Sequence, residues 1–276
     1  MHRLKNVTYE SFTLYLTNGP LDPPALIDAF LKADVLAGKG RGFIRILTID
    51  DRNIVCRKYL HGGLLRGITK DFFFSAKRAI KELEIIEYLN KAGFPVVEPY
   101  CVIVEATALM KKPYLLTVFE ENAMDLLDYF SKAETKMRRK AIKELAERMH
   151  ELEGLGVYHP DLHLNNILIT SKNGMKFLDF DKAYRKSITK KDMEHMFWRL
   201  NRYAEKMAKK GYFNPSVKDK MLFLRSYAKI SGYDMLPRME KRMKFQRWLD
   251  KTGWFLESFL YGSSNKVRKP ARFKKS

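Results

Sequence analysis

Hydrophobic and polar positions alternate with a strand period from about residue 43. Phe43-Ile44-Arg45-Ile46-Leu47-Thr48-Ile49 and Asn53-Ile54-Val55-Cys56-Arg57 flank Asp50-Asp51, which predicts a hairpin. The period then changes. Ile80, Leu83, Ile86 and Leu89 recur at helical spacing, and Gly93 and Pro95 stop that helix. Two more strand-like runs follow near 97–104 and 114–119. After Glu120-Glu121-Asn122 the pattern turns mostly helical. Ile142, Leu145, Met149 and Leu152 share one face of a helix over 138–153, ended by Gly154 and Gly156. A short strand–turn–strand follows at 166–179. Beyond about 190 the chain reads as helical, with scattered aromatics that include Trp198, Trp248 and Trp254. Residues 1–30 read as irregular, because Gly19-Pro20 and Pro23-Pro24 punctuate them. The order predicts an α+β protein of two lobes. A β-rich lobe spans 1–119, a helical lobe spans 120–264, and a loose basic tail spans 265–276.

Composition changes this picture in three places. Hydrophobic residues make up 46% of the 276, so each lobe can bury a core. The net charge of +20 selects anionic partners: nucleic acid, an anionic membrane surface or a phosphorylated substrate. Cys56 and Cys101 suggest neither a disulfide framework nor a zinc site, which points to a reducing compartment, the cytosol. The chain has no apolar run long enough to span a bilayer. The charged start, Met1 to Asn6, lacks a following apolar segment, so no secretory signal is expected.

The chemistry concentrates in His159-Pro160-Asp161-Leu162-His163-Leu164-Asn165-Asn166 and Phe177-Leu178-Asp179-Phe180-Asp181. Ile167-Leu168-Ile169-Thr170 is a short strand, Asn173-Gly174 is a strong hairpin signal, and Met175-Lys176-Phe177-Leu178 is the return strand. A hairpin brings its ends together, so Asn166 should lie beside Asp179. An amide oxygen and a carboxylate at one point suit a hard cation such as Mg²⁺. Asp161 enters on the loop before the hairpin, where its carboxylate can accept a hydrogen bond from an incoming hydroxyl. His159, Asp161, Asn166 and Asp179 thereby match the kinase pattern H-x-D-x-x-x-x-N followed by a metal-binding Asp. Asp181 stands where the usual D-F-G has glycine, to shape the turn or to touch a second metal.

The remaining parts should lie upstream. Gly38, Gly40 and Gly42 form a glycine-rich loop before a strand, where backbone N–H groups can approach phosphates. A cation should follow on the next strand. Arg57 and Lys58 are adjacent, and strand alternation puts them on opposite faces, so only one enters the cleft. Val55-Cys56-Arg57-Lys58 mimics V-A-I-K, which favours Lys58. The cation's partner should be a helical glutamate, Glu82 or Glu84, which lie about 200° apart around a helix. The adenine contact should fall near Phe119 to Asn122.

Together these residues resemble the lipopolysaccharide core sugar kinases, the Kdo kinases above all (Kdo is 3-deoxy-D-manno-octulosonic acid). The resemblance rests on Gly40-Arg41-Gly42, Val55-Cys56-Arg57-Lys58-Tyr59 with Gly62-Gly63-Leu64, and Lys81-Glu82-Leu83. It continues in Gly93-Phe94-Pro95-Val96, Gly156-Val157-Tyr158-His159-Pro160-Asp161-Leu162, Asn166-Ile167-Leu168 and Asp179-Phe180-Asp181. It covers about residues 36–200, including Trp198 to Asn201. Pro160 departs from it, since the family commonly has a small residue or Arg there. The resemblance implies a protein-kinase-like fold and an enzyme using ATP and Mg²⁺. It implies Arg57 in the phosphate-binding role with Glu82 as its partner. It implies a lipid-linked sugar acceptor, Kdo on a lipid A precursor, and a place on the cytoplasmic face of the inner membrane as a peripheral protein. The sister group of heptose kinases is the alternative. A protein kinase is disfavoured because no activation segment ending in A-P-E is recognisable. The intact catalytic set argues against an RNA-binding module, and nucleic acid is not an expected partner. Lys266, Arg268, Lys269, Arg272, Lys274 and Lys275 of the tail form a candidate docking arm for anionic lipid headgroups.

Overall fold

The computed structural model describes residues 4–17, 22–37, 43–60, 72–107, 110–171 and 174–244. Gly38, Gly40, Gly42, the Gly62-Gly63 pair, Trp248, Trp254 and the basic tail lie outside the described residues. The chain divides into two compact units, 1–233 and 234–276. In the second unit residues 236–244 are helical.

The first unit begins with a seven-stranded antiparallel sheet in the order β1-β2-β6-β7-β5-β4-β3. Its strands are β1 (Lys5–Tyr9), β2 (Phe12–Leu16), β3 (Val35–Ala37), β4 (Phe43–Ile49), β5 (Arg52–Lys58), β6 (Pro99–Ala106) and β7 (Lys111–Val118). The expected β4–β5 hairpin is present, with Ile49 opposite Arg52. Asp50 and Asp51 both take left-handed backbone, with φ of 48° and 59°, as a two-residue type I′ turn requires.

The described residues among 1–30, namely 4–17 and 22–30, are not irregular. They supply the β1–β2 hairpin and helix α1 (Pro23–Lys32). Two physical reasons hid them. Strand β1 is almost wholly exposed, so it lacks a buried alternate face, and its turn at Glu10-Ser11 carries no glycine or asparagine. Pro23 and Pro24 occupy the first turn of α1, where a missing N–H costs nothing, and Asp22 caps it.

Helix α1 seats Leu26, Ile27 and Phe30 on one sheet face, against Leu14, Ile54, Cys56, Cys101, Ile103, Tyr114 and Leu116. The two cysteines are buried free thiols of this core, and burial pushes Cys56 up to about 12. Helix α2 (Lys77–Lys91) packs on β6 and β7. It buries Ala79, Leu83, Ile86 and Leu89, together with Glu82. Strand alternation therefore separates the neighbours on β5. Ile54 and Cys56 face α1, while Arg57 turns to the α2 side and meets Glu82.

The helical part follows β7. It contains β8 (Met124–Asp125), α3 (Leu126–Lys132), α4 (Thr135–Gly154) and β9 (Val157–Tyr158). Then come a 3-10 turn (Leu164–Asn166), β10 (Ile167–Ile169), β11 (Met175–Phe177), β12 (Tyr184–Arg185), α5 (Lys190–Ala208) and α6 (Val217–Ser231). Helix α4 buries the predicted Ile142, Leu145, Met149 and Leu152. Gly156 ends it at φ 66°, and a Cβ there would lie 2.8 Å from the Lys186 carbonyl oxygen. Only glycine allows β12 to pair this closely with β9. The β10–β11 hairpin docks on the segment after α2. Phe177 N–H donates to the Pro95 carbonyl at 2.8 Å, and Val97 N–H donates to the Phe177 carbonyl at 3.0 Å.

Candidate active site

The hairpin brings its ends together as its register requires. Ile167 pairs with Phe177, and Leu178 N–H donates to the Asn166 carbonyl at 3.0 Å. Asn166 therefore sits opposite Leu178, one residue from Asp179. The Asn166 amide nitrogen donates to the Asp161 carbonyl at 3.4 Å, which ties the loop to the hairpin. That bond turns the amide oxygen the other way. Asp179 takes left-handed backbone at φ 63°, which is uncommon for a residue other than glycine.

Arg57 crosses from the sheet to this point. Its Nη2 donates to both Glu82 oxygens at 2.7 Å, and its Nη1 donates to Asp179 Oδ1 at 3.1 Å. Lys58 lies on the opposite face, with its Nζ 5.9 Å from the Tyr114 ring centre. Glu82 is fully buried, and Tyr59 also donates its hydroxyl to it. Burial pushes the Glu82 carboxyl up, against the pull of Arg57. Burial works against the Arg57 charge too, but Glu82 and Asp179 outweigh it and raise that pKa.

Asp161 lies on the loop after β9. Its Oδ2 accepts from Lys182 Nζ at 2.9 Å, and its Oδ1 accepts from the Arg199 guanidinium on α5. Burial raises its carboxyl, but these two cations prevail and hold it below the usual carboxylate range. His159 is fully buried beneath the loop, 5.0 Å from the Phe180 ring, and neither ring nitrogen has a hydrogen-bond partner of ordinary geometry. Burial lowers its pKa to about 4, only partly offset by Asp179 and Asp161, so the ring is neutral at neutral pH. Asp181 ion-pairs with Arg78 in the first turn of α2.

Arg57, Glu82, Asp161, Asn166 and Asp179 thus converge, while the glycine loop lies outside the described residues. Arg78, Lys182 and Arg199 were not singled out from the sequence. Arg199 falls within the Trp198 to Asn201 stretch, and Lys182 directly follows Asp179-Phe180-Asp181, but no spacing rule marks either. Among the described residues no group of three or more His, Cys, Asp and Glu could hold a metal ion. One amide and one carboxylate still fit Mg²⁺, which keeps several waters and takes further oxygens from substrate phosphates.

An antiparallel sheet carrying a buried Arg–Glu pair, above a helical part that presents Asp161, Asn166 and Asp179 on one loop and hairpin, is a protein-kinase-like arrangement. The model of the lipopolysaccharide kinase (Kdo/WaaP) family matches residues 31–227, and the chain belongs to that family. It is 31% identical over 158 residues to a 3-deoxy-D-manno-octulosonic acid kinase of Pasteurella multocida (strain Pm70), covering 53% of this chain and 65% of that protein. It is 28% identical over 149 residues to the protein of that name from Vibrio vulnificus (strain YJ016), covering 52% and 62%. The matches span less than two thirds of the length of these two relatives.

Proposed function

We propose that this chain transfers the γ-phosphoryl group of ATP to a sugar hydroxyl, that of Kdo on a lipid A precursor. The observation that carries the reading is the convergence of Asp161, Asn166 and Asp179 on one loop and hairpin, with Arg57 reaching Asp179 from the sheet. The names of the relatives supply the acceptor.

In this reading Asp161 orients the acceptor hydroxyl and takes its proton late. The Asn166 amide oxygen and the Asp179 carboxylate would hold Mg²⁺, which neutralises charge on the β- and γ-phosphates when bound. Arg57, fixed by Glu82, steadies the nucleotide phosphates, and the glycine loop at Gly38, Gly40 and Gly42 covers them. His159 supports the loop from below as a positioning residue. Catalysis is then mainly positioning and charge neutralisation. Lys58 lies on the other sheet face and takes no part. The acceptor places the enzyme on the cytoplasmic face of the inner membrane, drawn there by its charge of +20 and by the 265–276 tail. No helix among the described residues is long and apolar enough to cross a membrane.

The test is transfer of label from ATP, with Mg²⁺, to Kdo-lipid IVA, with heptosylated core and a generic protein substrate alongside. Label on the Kdo lipid, lost in Asp161→Ala with its melting temperature retained, supports the reading. Label on heptosylated core alone moves the acceptor to the sister sugar. A near-normal rate in Asp161→Ala removes the assigned base.

A further inference from the structure

The two sides of the site carry opposite charge. Around Asp179, three acids (Glu82, Asp179 and Asp181) face two guanidiniums (Arg57 and Arg78). Around Asp161 the balance reverses. One carboxylate there faces two cations, Lys182 at 2.9 Å and Arg199. The metal side therefore has negative charge to spare for a divalent ion. The acceptor side has positive charge to spare, and it calls for an anion.

The two cations differ in how firmly they are held. Arg199 projects from the helix α5, and its Nε is buried. Lys182 sits on the loop after Asp181 with 61% of its side chain exposed, against 37% for Arg199. An exposed Lys–Asp pair contributes little, and an ammonium on a four-carbon stem swings at low cost. The phosphates of ATP have their own counter-charges across the site, in Arg57 and the proposed metal. The anion left for Lys182 is one that arrives with the acceptor.

We propose that Lys182 is an acceptor-specificity residue, releasing Asp161 as the hydroxyl arrives and pairing with a carboxylate on the acceptor sugar. Arg199 stays on Asp161 as a positioning residue. The enzyme thereby selects an acidic sugar over a neutral one of the same shape. This inference rests on the kinase reading above.

The experiment uses the full chain, labelled ATP and Mg²⁺ with two acceptors: Kdo-lipid IVA, and the same molecule with its Kdo carboxylate reduced to a primary alcohol. Wild type should prefer the acidic acceptor about tenfold in kcat/KM, as one charge-assisted contact gives. Lys182→Ala should lose that preference through KM for the acidic acceptor, with KM for ATP unchanged, and Lys182→Arg should keep it. Arg199→Ala should lower kcat alike on both acceptors. Equal losses on both acceptors in Lys182→Ala, with KM for ATP raised, would assign Lys182 to the γ-phosphate and overturn the proposal. Equal use of both acceptors by wild type would overturn it while leaving the kinase reading standing. Transfer to neither would remove Kdo as the acceptor, and this proposal with it.

Discussion

Arg57 on β5 and Asp179 at the end of the β10–β11 hairpin, 122 residues apart in the chain, meet at 3.1 Å. The contact joins the sheet to the hairpin, and it sets a cation on the carboxylate that we assign to the metal. Glu82 competes for the same guanidinium with two bonds of 2.7 Å. It keeps Arg57 from being wholly committed to Asp179.

Glu82→Gln should therefore act in two ways. It leaves Arg57 short of a partner, which should cost about 2–4 kcal/mol of stability, since Glu82 is fully buried. It also strengthens the hold of Arg57 on Asp179, so the Mg²⁺ concentration for half-maximal rate should rise about tenfold. Magnesium titrations of the initial rate read the second effect apart from the first. An unchanged magnesium dependence with a lower melting temperature would reduce Glu82 to a structural role.

Asp179→Asn separates the charge of this residue from its shape. The φ of 63° is one that asparagine tolerates as well as aspartate does, so the hairpin should keep its backbone. The carboxylate is lost, and with it the proposed anionic metal ligand. Phosphate transfer should fall at least about a hundredfold while the melting temperature stays within a few degrees. A variant that keeps most of its rate would move the metal elsewhere.

Much of this site was legible in the sequence because it is local. Asn166 and Asp179 are joined by a hairpin whose turn signal and strand period can both be read, and the structure pairs the strands in that register. The choice between Arg57 and Lys58 was not legible from the strand alone. Alternation says that the two oppose each other, but not which face α2 covers. That depends on Glu82 being a buried position of α2, among Ala79, Leu83 and Ile86. Lys182 and Arg199 were out of reach for another reason. Their meetings with Asp161 span 21 and 38 residues, and that of Arg199 depends on where α5 packs. Residues 1–30 failed through two misleading signals, an exposed edge strand and prolines that begin a helix rather than break one.

Gly156 and Gly154 are two residues apart and should answer alanine in opposite directions. Gly156 has φ 66°, and its added Cβ would meet the Lys186 carbonyl oxygen at 2.8 Å. Left-handed backbone for alanine costs about 1–2 kcal/mol, and the clash adds to it. Gly156→Ala should destabilise by about 2–4 kcal/mol and disturb the β9–β12 pair that leads into Asp161. Gly154 closes α4 with open space around its Cβ position, so Gly154→Ala should be neutral or stabilising by up to about 1 kcal/mol. Denaturant melts of the two variants check the pair.

Helix α5, which carries Arg199, begins with a charged cap. Thr189 and Asp192 form a reciprocal capping box at the start of α5, and Lys186 Nζ lies 2.5 Å from Asp192. Burial raises the Asp192 carboxyl, but the bonds from Lys186 and Thr189 outweigh it and lower the pKa to about 2, from an ordinary 3.8. A carboxylate with a depressed folded pKa stabilises fully above the unfolded value and loses that contribution as pH falls through the folded one. The window here is about pH 4 down to 2. The pair lies at the surface, where solvent and salt screen it and keep its contribution small. Asp192→Asn should lower the melting temperature near pH 7 by about 2–4 °C. The gap from wild type should close between pH 4 and pH 2, as the wild-type carboxylate takes up its proton. A gap that persists unchanged at pH 2 would mean that the cap acts through shape alone, with no contribution from its charge.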